Sequence, residues 1–225
     1  LMLLLALSCL QGRPMQMAFD ALAALPVDGI QLTPGNLPTP GFAAHVARSG
    51  LQIRTHHGFQ WRDRFPGRLW SETGEWIGHC HSAHPPKANT RAAEGWRQQT
   101  QTATRLPLLE TMYPGYPLGD GEALSWAMDH RLELAVDVSH LFIQRAQGVC
   151  EEAVWRRLQS YDHIGEIHVS QNDGRADSHQ PIHADSYGLA WARERLGAGT
   201  LTVLECYMHR LSEDDRQRQI ELLRP

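Results

Sequence analysis

Lysine is almost absent from the 225 residues, and the formal net charge is -4. That net negative balance gives no reason to expect a polyanion such as nucleic acid as a partner, although it is compatible with a local basic patch. No low-complexity stretch interrupts it, and 42% hydrophobic content suits one well-cored domain over 1–225. The four cysteines, Cys9, Cys80, Cys150 and Cys206, are scattered without a CxxC pair. That pattern argues against a disulfide framework and leads us to expect reduced thiols and a cytoplasmic location. The apolar opening, 1–10, lacks a basic flank and is too short to span a bilayer, so no membrane association is expected. Cys9-Leu10-Gln11-Gly12 is no glycine-rich phosphate loop, and no G-x-S-x-G nucleophile elbow occurs.

What is present is alternation. Short β-rich runs fall at 2–8, 29–32, 51–55, 76–81, 107–111, 132–138, 164–169 and 201–206. Helical periodicity occupies 15–25, 42–49, 90–104, 121–130, 151–161, 187–196 and 212–223, the last opening on Ser212 with Asp215 as a weak capping box. The segment 61–75, rich in Arg, Gly and Pro, is the poorest helix candidate. Eight strands alternating with helices predict parallel pairing through right-handed crossovers, and hence a compact α/β fold, a (β/α)8 TIM barrel.

Thirteen histidines are the outlier of the composition, and many follow apolar runs. Barrel active sites are built at the C-terminal ends of the strands. Strand three ends in His56-His57, and strand four leads through His79 and His81 to His84-Pro85. Strand five ends in Glu110, strand six in Asp137 with His140 beyond, strand seven in His168 followed by Asp177 and His179, and strand eight in Glu205. Six consecutive strand ends thus offer an imidazole or a carboxylate, the donors that suit Zn²⁺, Mn²⁺ or Fe²⁺. Each has an ordinary alternative. Asp137 could cap the following helix, and a single strand histidine is more often a hydrogen-bonded core residue than a ligand. His45, His130, His163, His183 and His209 are read as such residues or as solvent-exposed ones. Cys206 faces away from Glu205 by strand alternation.

The series Asp137-x-x-His140, His168, Asp177-x-His179, Glu205 resembles the xylose-isomerase-like TIM barrels over roughly 55–206. That superfamily holds sugar isomerases and epimerases, trinuclear zinc AP endonucleases and multinuclear non-haem iron enzymes that modify peptides. The resemblance implies two to three divalent metal ions. One would be held by His56, His84 and Glu110; a second by Glu110 as a bridge with Asp137, His168 and Glu205; a third by His140, Asp177 and His179. His79 or His81 could replace His84, and His57 could replace His56. A mononuclear epimerase would need only Glu110, Asp137, His168 and Glu205, its two glutamates moving protons; the extra His140, Asp177 and His179 favour the multinuclear branches.

The expected function is therefore a metal-dependent isomerase, epimerase or hydrolase acting on a small sugar-like or phosphorylated substrate. Glu110 and Glu205 are the candidate catalytic groups, and Arg54, Arg145 or Arg175 the candidate anion anchors. The alternatives are an iron oxygenase acting on a peptide, with a partner protein, an AP endonuclease-like phosphodiesterase, and a degenerate barrel that only binds.

Overall fold

The computed structural model describes all residues from Leu1 to Pro225. Eight parallel strands form one sheet in the order β3-β2-β1-β8-β7-β6-β5-β4. They are β1 Leu3–Ala6, β2 Gly29–Leu32, β3 Gln52–Thr55, β4 Ser82–Ala83, β5 Leu108–Glu110, β6 Leu134–Asp137, β7 Ile164–Val169 and β8 Leu201–Leu204. The sheet curls until β3 meets β4, where His57 N–H donates to Ser82 O and His81 N–H to Thr55 O, both at 2.9 Å. The expected (β/α)8 barrel is what forms.

The helices are α1 Met15–Ala23, α2 Phe42–Arg48, α3 Arg91–Thr102, α4 Gly121–Asp129, α5 Val138–Ala146, α6 Glu152–Gln159, α7 Leu189–Gly197 and α8 Glu213–Leu223. Buried leucine, isoleucine and valine on β1, β2, β6 and β8 pack against Met15, Phe19, Leu124, Leu141 and Leu196 of this outer layer, which is the burial that drives such a fold. None of the helices is long and apolar enough to cross a membrane.

Two local readings need correction. The strand expected at 76–81 does not form; pairing begins only at His81, and the strand proper is Ser82–Ala83. The preceding residues are diverted, because Trp76 pairs antiparallel with Trp70 and meets its ring edge-on at 5.2 Å. The second correction concerns 138–146, where an extra helix, α5, starts directly after Asp137 and precedes α6. No helix covers the step from β3 to β4, as the composition of 61–75 foretold. In its place 58–80 forms a loop structure pinned on α3. Gly95 makes that approach possible, since a Cβ there would stand 2.3 Å from Thr73 O.

Candidate metal centre

The site follows from strand parity. Asp137 and His168 are register partners on β6 and β7, and His168 is opposite Val203 on β8. Glu205, two residues beyond Val203, therefore shares the inward face. Cys206 takes the opposite face and lies buried 3.6 Å from Gln219 Oε1.

Glu110 stands at the centre. Its Oε2 is 3.2 Å from both His56 Nε2 and His84 Nε2, which are themselves 3.2 Å apart. Its Oε1 is 3.3 Å from His140 Nδ1 and 3.6 Å from His168 Nδ1. His168 Nδ1 is also 3.4 Å from Glu205 Oε1. On the far side, Asp177 Oδ2 is 3.2 Å from His140 Nε2 and from His179 Nε2. All nine candidate residues are thus brought together. Three overlapping trios (His56, Glu110, His168; Glu110, Asp137, His140; Asp137, His168, Glu205) have donor atoms within 4.8 Å of one another.

The alternatives at strands three and four separate in space. His57 adopts a left-handed backbone with φ 45° and stacks on the His84 ring at 3.7 Å, leaving His56 to face Glu110. His81 turns away from the centre, its Nδ1 accepting from Thr55 N–H at 3.0 Å, and lines a different cavity with His79. His84 is steadied from behind by Trp70 Nε1–H, which donates to its carbonyl.

Local structure prepares several of these side chains. Asp137 does cap α5, its Oδ1 accepting from Ser139 N–H and His140 N–H, yet its Oδ2 stays free, so the cap and the candidate ligand are one carboxylate. His140 Nδ1 lies 2.9 Å from Thr111 O, which fixes the proton on Nδ1 and leaves Nε2 as the donor atom. The loop bearing Asp177 and His179 is closed by reciprocal backbone hydrogen bonds between Gln171 and Gln180.

A divalent ion fits this donor set. Glu110 Oε2, Asp137 Oδ2, His140 Nε2, His168 Nδ1 and Asp177 Oδ1 are buried polar atoms without a hydrogen-bond partner. Such atoms are costly unless something charged completes them. The electrostatics agree. Burial, reinforced by Glu110 and Asp137, pushes Glu205 up to about 7. Burial opposes charge on His179, but Asp177 outweighs it and holds the imidazole at about 9. Burial, helped by the neighbouring His84 and His168 against the pull of Glu110, lowers His56 to about 3.

A cavity of about 320 Å³ opens over the centre, walled by Thr33, Pro34, Phe65 and Pro66, with Arg64 the one arginine in its lining. None of the expected anion anchors reaches it. Arg54 points into the barrel and donates to Glu166; Arg145 pairs with Glu152; Arg175 is exposed on the loop before Asp177. Tyr113, in the loop after β5, meets His140 edge-on at 5.0 Å. Sequence reasoning assigned the buried Glu166 no role and did not place Arg64 as the arginine over the cavity.

No family model and no curated protein matches the sequence. Among solved structures, the chain is similar to one described as a D-tagatose 3-epimerase-like protein, with a TM-score of 0.62 and 14% identity. The likeness covers 99% of this chain and 96% of that one. What the two share at that identity is architecture: the chain has the (β/α)8 barrel fold of that structure.

Proposed function

We propose that this protein is an enzyme that holds two to three divalent metal ions at the mouth of its barrel and acts on a small sugar-like or phosphorylated substrate. The observation that carries the reading is the convergence of buried, unpartnered ligand atoms from Glu110, Asp137, His140, His168 and Asp177. His56, His84 and Glu110 would hold one ion, Glu110, Asp137, His168 and Glu205 a second, and His140, Asp177 and His179 a third. Bound there, the ions would supply Lewis acidity toward a substrate oxygen.

The residues themselves divide the remaining work. Glu110 is wedged between four imidazoles that approach its two oxygens at 3.2 to 3.6 Å, which suits a bridge better than a mobile base. That placement speaks against two-glutamate proton transfer and for a multinuclear centre. Arg64 would bind an anionic substituent at the rim. Pro34, Phe65 and Pro66 would exclude water from the bound substrate.

A second reading, an iron oxygenase acting on a peptide, is favoured by one further observation. Phe65 lines the opening while remaining exposed, Tyr207 is exposed beside His179 at 5.1 Å, and Trp61 on the same loop as Phe65 is exposed too. An apolar rim suits side chains of a peptide better than a sugar. The deciding experiment loads the purified protein with Zn²⁺, Mn²⁺ or Fe²⁺ separately. Turnover of small phosphoesters or sugar phosphates by the Zn²⁺ or Mn²⁺ forms supports the first reading. Peptide-stimulated O₂ consumption by the Fe²⁺ form alone replaces it with the second. Failure to bind any of the three metals defeats both.

A further inference from the structure

Glu166 is fully buried inside the barrel and takes no part in lining the cavity above the metal centre. It precedes His168 by two residues on β7, so both side chains point to the axis. Its Oε1 accepts from Gln31 Nε2 at 2.5 Å, Ser82 Oγ at 2.7 Å and His168 Nε2 at 2.6 Å. Its Oε2 accepts from Arg54 Nε at 2.7 Å. Four strands, β2, β3, β4 and β7, therefore converge on one carboxylate. With three donors on Oε1, the Arg54 guanidinium on Oε2 and no place in the ligand trios, it is not itself a candidate ligand.

The direction of these bonds fixes protons elsewhere. An ionised carboxylate only accepts, so each neighbour must donate to it. His168 then carries its proton on Nε2, which leaves Nδ1 facing Glu110 and Glu205. Ser82 has a single hydroxyl proton and spends it on Glu166. Its oxygen must consequently accept from His56 Nδ1, 3.0 Å away. His56 is thereby held with its proton on Nδ1 and its Nε2 facing Glu110 and His84. Two histidines at two different metal positions take their tautomers from the same group, one directly and one through a serine.

We infer that Glu166 is a positioning residue that sets the ring orientation and tautomer of His168 directly and of His56 through Ser82, so that one carboxylate outside the ligand set tunes two metal positions. Arg54 completes the device by neutralising the buried charge across the barrel. The inference rests on the metal reading above.

The test compares wild type, Glu166→Gln and Ser82→Ala by Zn²⁺ affinity in chelator competition and by imidazole ¹⁵N spectra, loaded and metal-free. Gln keeps the volume but offers one acceptor oxygen in place of two, so it must drop at least one donor. We expect Glu166→Gln to weaken Zn²⁺ binding about tenfold to a hundredfold and to move the ¹⁵N signals of both His168 and His56. Ser82→Ala should move His56 and leave His168 unchanged. A folded Glu166→Gln with unchanged affinity and unchanged imidazole signals overturns the role. If wild type takes up no Zn²⁺, the metal reading fails separately. The metal-free spectra then decide, since His56 protonated on Nδ1 in wild type and Glu166→Gln alike overturns the inference, and its loss in the variant supports it. Should Glu166→Gln not fold, a His56 signal unmoved in Ser82→Ala refutes the relay.

Discussion

Asp177 Oδ2 lies 3.2 Å from His179 Nε2, and His179 holds that position from a left-handed backbone with φ 44°. A histidine pays for such a conformation only where its surroundings require it. The pair, with His140 on the other side of Asp177, forms a position of its own at the edge of the centre.

Removing that position should remove one ion. The substitution His179→Asn deletes the imidazole and tolerates the left-handed backbone, so the loop should keep its course. Elemental analysis of wild type loaded with excess Zn²⁺ should find about two to three equivalents, from nine donors shared at four to six per ion with bridging. The variant should hold about one equivalent fewer, by the same coordination argument. Wild type that holds a single equivalent would defeat the multinuclear centre.

Glu110 and Glu205 should behave differently from each other. Glu110 faces two metal positions, so Glu110→Gln should lower occupancy at both, and activity with it. Glu205→Gln removes charge at one position, where Glu205 Oε1 meets His168 Nδ1. It should cost the second ion while leaving the outer pair of positions loaded. Circular dichroism should show both variants folded, because surrounding strands still supply the core. Full metal content in Glu110→Gln would make Glu110 a base or a structural acid.

These side chains were legible in the sequence because strand ends are where a barrel collects its chemistry, and six successive ends carried imidazole or carboxylate. Glu166 carries no such signal, because it lies inside β7 and not at its end. Its signal is instead the spacing Glu166-x-His168, which puts both on one face. Arg54 was assigned to the rim by nearness in sequence, but its register with Gln31 turns it inward toward Glu166. The strand at 76–81 was misread because local β-propensity does not reveal that Trp76 pairs with Trp70. Arg64 left no periodic signal at all; only the fold of the loop brings it over the cavity.

Metal uptake should depend on pH in a defined direction. Glu205, raised to about 7, and His179, raised to about 9, bear protons in the metal-free protein that an ion must displace. Apparent affinity should therefore climb as pH rises from 6 to 9. The stability of the metal-free protein runs the other way. Both groups have folded values above their unfolded ones, so their contribution is complete below the unfolded values and fades as pH passes about 7 and then about 9. Thermal melts with chelator should fall between pH 6.5 and 9, while melts with excess Zn²⁺ should hold or rise. Parallel curves with and without metal would show that neither group meets the ion.

The last prediction is that an abasic-site duplex is not a substrate. The resemblance permits a phosphodiesterase, since the same ligand series serves that branch, so the distinction must come from outside the metal centre. A duplex-binding enzyme neutralises several phosphates with lysine or arginine around its cleft. Here the loop over the cavity carries Arg62, Arg64 and Arg68. Arg68 is spent on Trp70 O at 3.2 Å, with Glu72 3.9 Å away. Arg64 donates to Gly35 O and lines the cavity. Arg62 and Arg64 are exposed without an ion pair, Arg175 stands apart on the loop before Asp177, and the loops after β1 and β2 are short and add only Arg13. Such a surface cannot grip a duplex and also hold an extruded nucleotide in place. With Zn²⁺ supplied and at moderate salt, we expect neither salt-sensitive retention of an abasic duplex nor its incision. Efficient incision that disappears in His179→Asn would reverse the ranking and assign the centre to phosphodiester hydrolysis.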